Sequence, residues 1–135
     1  MMSEGSADSF DDADFPQCER DGTTYLNVCA LDELPRKSGK AIFFDDETQV
    51  AIFRIADGLY AVSHICPHQH VPILADGLLD DLTVTCPLHG WMYSLENGKA
   101  LGGGARLKTY KVFEENGRVW LEQPRRIEPD WIMDF

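Results

Sequence analysis

Two short segments carry paired metal-binding side chains, Cys66-Pro67-His68 and Cys86-Pro87-Leu88-His89-Gly90. Each offers one thiol and one imidazole, and seventeen residues separate His68 from Cys86. Thiolates and imidazoles are zinc ligands, and one tetrahedral zinc ion accepts two of each. Zinc knuckles, however, usually present like ligands in pairs, with a wider gap than the single residue inside Cys-x-His. That gap is cramped for two bonds to one ion. A two-iron cluster relieves the crowding, because the cysteine and histidine of one loop can bind different irons. A zinc-stapled β module that only mediates binding stays open as a reading of another class.

The elements that must hold these segments read as short strands punctuated by turn signals, the pattern of a sandwich or barrel. Tyr25–Cys29 is expected as a first strand, with at most one helical turn over Leu31–Pro35. Ala41–Phe44 and Val50–Ile55 bracket the polar Asp45-Asp46-Glu47 turn, and Leu59–Val62 returns after Asp57-Gly58, a dipeptide suited to the positive φ of a hairpin. Leu82, Val84 and Cys86 alternate with Thr83 and Thr85, a period of two that turns the apolar set inward. Asn97-Gly98 and Asn116-Gly117 mark two more hairpins, the second joining Tyr110–Phe113 to Arg118–Glu122. No stretch sustains a helical stripe. The expected fold is all-β, with each ligand segment in a loop directly after a strand, where a rigid scaffold can present it.

The chain has 135 residues and a net charge of −11, which disfavours nucleic acid and anionic membranes as partners and favours a basic patch on another protein. No apolar run reaches the ~20 residues of a membrane span, and the start lacks the basic and apolar regions of a signal peptide. Cytoplasmic location is therefore expected. In a reducing compartment, cysteines accompanied by histidines point to metal rather than disulfides. Residues 1–17 form an acidic segment expected to stay unstructured, residues 18–122 the domain, and residues 123–135 a tail. That tail carries Trp131 and Phe135, which are expected to fold back on the body.

The two ligand segments, extended to Trp91, resemble those of Rieske-type [2Fe–2S] ferredoxins. The resemblance continues through Pro72 and Gly77, through Tyr93, Leu95 and Gly98, and into a closing hairpin with Tyr110, Val112, Asn116-Gly117 and Val119. It covers roughly residues 24–122. It implies a Rieske-type sandwich of short antiparallel strands with a two-loop cluster-binding subdomain, and one [2Fe–2S] cluster ligated by Cys66, His68, Cys86 and His89, the two histidines on one iron. Respiratory relatives brace the loops with a disulfide. Val71 and Leu88 stand at those positions here, and Trp91 replaces their hydrogen-bonding serine, while Tyr93 keeps the other donor. The expected potential is therefore near the low end of the Rieske range, about −150 to +300 mV. Where many Rieske proteins cover the cluster with a proline-containing loop, this chain has Gly102-Gly103-Gly104-Ala105.

His64 and His70 flank the first segment and are expected to be solvent-facing or strand-end residues. Cys29 reads as a small core hydrophobe, Cys18 as a thiol near the chain end, and Trp120 as outer-face packing. There is no second iron site, nucleotide fingerprint or nucleophile–base pair, so the chain is expected to carry electrons and not to be an enzyme alone. The wording of the two segments is similar to the small subunits of NAD(P)H-dependent nitrite reductases, which implies a large reductase subunit as partner. It is also similar to ferredoxins of aromatic-ring dioxygenase systems, which implies a flavin reductase as donor and an oxygenase as acceptor. A redox sensor is a further possibility.

Overall fold

The computed structural model describes residues 15–45, 48–55, 58–66, 71–87, 90–101 and 106–124. Among these residues eleven strands run in the order β1 (Gln17–Arg20), β2 (Thr23–Ala30), β3 (Gly39–Asp45), β4 (Thr48–Ile55), β5 (Gly58–Ser63), β6 (Leu78–Asp80), β7 (Thr83–Thr85), β8 (Met92–Ser94), β9 (Thr109–Tyr110), β10 (Val112–Glu115) and β11 (Arg118–Glu122). Among the described residues the only helical pieces are 3-10 turns at Leu31–Glu33 and Leu74–Asp76. The all-β expectation holds.

The strands form three antiparallel sheets, ordered β1-β2-β11-β10, β3-β4-β5-β9 and β6-β7-β8. The second sheet is the central layer, and β4 shows why. Val50, Ile52 and Ala51, Phe53 are all fully buried, but they belong to different cores. Val50 and Ile52 join Leu26, Ile42, Phe44, Val119 and Leu121 between the two four-stranded sheets. Ala51 and Phe53 join Val62, Val84, Tyr93 and both loop cysteines, Cys66 and Cys86, on the opposite face. Strand periodicity sends successive side chains to opposite faces, so one apolar run serves both cores.

Two differences from the expected strands have local causes. A strand precedes the expected first one, because Asp21 and Gly22 both take positive φ (54° and 81°) and turn β1 back onto β2. Ahead of it, Phe15 packs edge-on against Phe44 with centroids 5.8 Å apart, so the ordered body begins before residue 18. The expected strand Tyr110–Phe113 is divided at Lys111. Tyr110 pairs with Ala61 of β5, whereas Val112 pairs with Leu121 of β11. The chain changes sheets there, and Glu122 secures the corner by accepting the Lys111 N–H at 2.8 Å.

The Asn97-Gly98 and Asn116-Gly117 signals are realised, whereas Gly58 is the first residue of β5 and takes no positive φ, so it is not the turn position that Asp57-Gly58 suggested. Asn116 and Gly117 (φ 56° and 79°) close the β10–β11 hairpin. Ile55 lies opposite Gly58, the connecting residues, Asp57 included, falling outside those described. At Gly98 (φ +79°) a Cβ would lie 2.1 Å from the Leu107 carbonyl oxygen, so only glycine lets the chain turn back there. The register of β2 and β11 slips between Val119 and Trp120. The side chain of buried Asn27 fills that irregularity, donating to the Cys29 and Val119 carbonyls at 3.1 Å each. Trp120 is half-buried and stacks on Phe113, as outer-face packing requires.

Candidate functional site

Both cysteine loops are closed in the same way. An antiparallel bridge pairs Ile65 with Pro72, and the β7–β8 ladder ends by pairing Thr85 with Met92, so each pair is seven positions apart. Just inside each pair, the cysteine N–H donates across the loop. Cys66 donates to the Val71 carbonyl at 2.9 Å, and Cys86 to the Trp91 carbonyl at 2.7 Å. The second loop is tightened further, with the Gly90 N–H (φ +75°) returning to the Cys86 carbonyl at 3.0 Å. Two sequence segments of different spacing are thus presented on loops of equal span.

Gly77 fits the short loop between the 3-10 turn and β6. A Cβ there would lie 2.5 Å from Val84 Cγ2 and 2.7 Å from the Thr85 carbonyl oxygen. Any other residue would push the first loop's return off β7. Pro72 holds the bridge to Ile65, and Leu95 is buried beneath both loops.

Cys66 and Cys86 are 0% and 1% exposed, and none of the four cysteines is in a disulfide. Burial alone fits small hydrophobes. Tyr93 separates the readings. It is fully buried, and its hydroxyl lies 3.7 Å from Cys66 Sγ. Burial pushes the Tyr93 phenol well above its usual range, and the hydrogen bond with Cys66 and the negative charge of the Cys66 and Cys86 thiolates push it further. At that distance either atom can be the donor, and towards a thiolate, which has no proton to give, the phenol is the one that donates. Two matched thiol loops with such a donor suit a sulfur-ligated iron cluster.

His68, His89 and His70, together with Gly102–Ala105, Trp131 and Phe135, lie outside the described residues. His64 stands at the end of β5, as expected for one strand-end reading, but it is buried rather than solvent-facing. The alternation of Val62, His64 and Cys66 would have placed it inward. Its Nδ1 accepts the Ala75 N–H at 3.0 Å. Burial lowers the His64 pKa below its usual value, and the Asp76 carboxylate opposes that shift. Cys29 is buried in the core, and Cys18 lies half-buried on β1.

With this geometry in view, residues 24–122 match the family model of the Rieske-like [2Fe–2S] domain. The chain is 32% identical over 108 residues to the ferredoxin component of an alkene monooxygenase system of Xanthobacter autotrophicus, covering 78% of this chain and 87% of the relative. It is 34% identical over 101 residues to the ferredoxin subunit of the 3-phenylpropionate/cinnamic acid dioxygenase of Escherichia coli K12, covering 73% and 93%. The solution structure of the nitrite reductase [NAD(P)H] small subunit from Erwinia carotovora superimposes with a TM-score of 0.60 at 28% identity, covering 78% and 94%. The chain belongs to the Rieske-like [2Fe–2S] domain family, and it transfers electrons through one such cluster.

Proposed function

We propose that the thiolates of Cys66 and Cys86 hold one iron of the cluster and the imidazoles of His68 and His89 the other. Bound there, the cluster supplies a one-electron carrier. The protein's part is to fix two sulfurs from matched loops, to bury them against Ala51, Phe53 and Val84, and to keep the Tyr93 hydroxyl protonated beside Cys66. Replacing His68 and His89 together by cysteine should either abolish iron binding or leave an all-thiolate cluster. In the surviving case the potential should fall by hundreds of millivolts, toward the roughly −400 mV of plant-type centres. Iron and acid-labile sulfide retained at an unchanged potential would overturn the ligand set. A colourless zinc-containing sample would support the zinc-stapled reading.

The chain acts as the ferredoxin of a multicomponent oxygenase system in the cytoplasm, taking electrons from a flavin reductase and delivering them to the oxygenase. The observation that carries this reading is its likeness to oxygenase ferredoxins of 32% and 34% identity over most of their length. No helix among the described residues is long and apolar enough to cross a membrane. The fold shared with the Erwinia carotovora small subunit favours a second reading, a nitrite reductase small subunit. Size-exclusion chromatography of the native protein discriminates the two. A free carrier reducible by NADH through a flavoprotein supports the first, and a stoichiometric complex with a sirohaem protein supports the second. With a net charge of −11, docking to a basic patch on the partner should give an electron-transfer rate that falls as salt rises. A rate indifferent to salt would exclude that steering.

A further inference from the structure

Three successive backbone N–H groups converge on one residue at the base of the first cysteine loop. The His64 carbonyl accepts the N–H groups of Ile73 and Leu74 at 3.0 Å each, and its Nδ1 accepts that of Ala75 at 3.0 Å. Its own N–H donates to the Gln49 carbonyl on β4 at 2.8 Å. These three amides open the 3-10 turn Leu74–Asp76, where the first N–H groups of any helical piece lack intrahelical acceptors. Ile73, at the N-cap, makes no side-chain capping bond. His64 supplies the missing acceptors from across the loop. Two of the three bonds come from its carbonyl and would survive any substitution. The third depends on the imidazole.

We propose that His64 is a positioning residue for the cluster: its Nδ1 fastens Ala75, and so fixes the returning limb of the first loop against Cys66. Accepting at Nδ1 requires a ring without a proton there, so a neutral His64 carries its proton on Nε2. The limb it holds runs back through Pro72, which bridges to Ile65, and Val71, which accepts the Cys66 N–H. A slack turn at Leu74–Asp76 would loosen both contacts, and with them the direction in which the Cys66 sulfur points. The inference rests on the reading of Cys66 as a cluster ligand.

Asparagine and glutamine separate the acceptor from the ring. Asn Oδ1 stands on the same atom, Cγ, as His Nδ1, whereas Gln carries its acceptor one bond farther out. Phenylalanine keeps the ring and removes the acceptor. In His64→Phe and His64→Gln, hydrogen exchange in the peptide spanning residues 71–77 should quicken by about tenfold or more, the effect of leaving a buried amide without an acceptor. The holoprotein should also lose iron to a chelator faster, and the reduced cluster's electron paramagnetic resonance signal should broaden. His64→Asn should restore all three readouts to near wild type. If His64→Phe matched wild type, or if His64→Asn failed alongside it, the acceptor role would be wrong. A wild-type protein lacking iron and sulfide would instead overturn the cluster reading, and the hydrogen-exchange comparison would still decide whether His64 fastens the turn.

Discussion

The two cores on either side of the β3-β4-β5-β9 sheet are built by different means. The base core lies between strands of up to eight residues, β2 and β4, with long ladders, and is filled mainly by Leu, Ile, Val and Phe. The core beneath the cysteine loops lies against strands of three residues, β6, β7 and β8. It is held instead by turns, by glycines that admit close backbone contact and by the His64 bonds, and it contains the two cysteines themselves. Hydrophobic burial between long strands can hold the base on its own. The cluster end has little ladder to rely on, and since metal binding generally couples to folding, its order is expected to depend on the cluster. Precision at the cluster is thus separated from the source of stability, and β4 joins the two because each of its faces is buried in a different core.

The largest expected effect tests that separation directly. Cys66→Ser combined with Cys86→Ser should remove all iron and sulfide. Hydrogen-exchange protection should then collapse over residues 71–101, while β3, β4 and β5 retain most of theirs. Uniform loss of protection across both regions would mean that the cores fold as one unit.

Ile52→Ala is the reciprocal change, next in size. The side chain is fully buried in the base core, and such truncations cost about 2–5 kcal/mol. Denaturation should register that loss, while iron content and potential at 25 °C stay at the wild-type values. A shifted potential would show that the base transmits strain through β4 to the loops.

The same division governed what could be read from sequence. Base strands were legible because alternation and the Asn116-Gly117 turn carry local signals, and β1 would have been legible from Asp21-Gly22. The break at Lys111 was not, since a strand that changes sheets keeps its residue pattern and is divided only by its partners. In the cluster end, the Cys66 and Cys86 loops were visible because chemistry fixes residue type. Their equal span was not, because it arises from cross-strand pairing at Ile65–Pro72 and Thr85–Met92. His64 was legible as a strand-end residue, but its partner was not, because a histidine outside the ligand pattern gives no sign of a backbone amide eleven residues away that needs an acceptor.

A pH experiment sharpens the comparison from the base side. Burial in the base core, reinforced by Glu33 and opposed by Lys40, pushes the Cys29 thiol up from 9.0 to about 11. Below pH 9 both folded and unfolded chains keep the proton. Above it the unfolded chain releases the proton first, so stability contributed by Cys29 is lost as pH rises from 9 toward 11. Tyr110, raised to about 12 by burial and by Glu122, gives a parallel loss between pH 10 and 12. Cys29→Ala should therefore flatten the stability profile between pH 9 and 10, the window that Tyr110 does not share. An unchanged slope there in urea denaturation would assign alkaline sensitivity elsewhere.

The smallest expected effect belongs to Tyr93, and it should appear in potential rather than stability. Tyr93→Phe leaves the ring to fill the same fully buried space, so little cavity forms and the unfolding midpoint should move only slightly. What disappears is the hydroxyl 3.7 Å from Cys66 Sγ. Reduction adds negative charge to a sulfur-ligated centre, so a donor to sulfur favours the reduced state and its removal should lower the potential. A net hydrogen bond of about 0.5–1.5 kcal/mol corresponds, for one electron, to roughly 20–65 mV. Voltammetry of the holoprotein resolves a change of that size. A potential that stayed in place or rose would show that the hydroxyl does not donate to sulfur. A lowered unfolding midpoint with no change in potential would assign Tyr93 to packing, and the division between a stabilising base and a tuned cluster end would then have to be drawn without it.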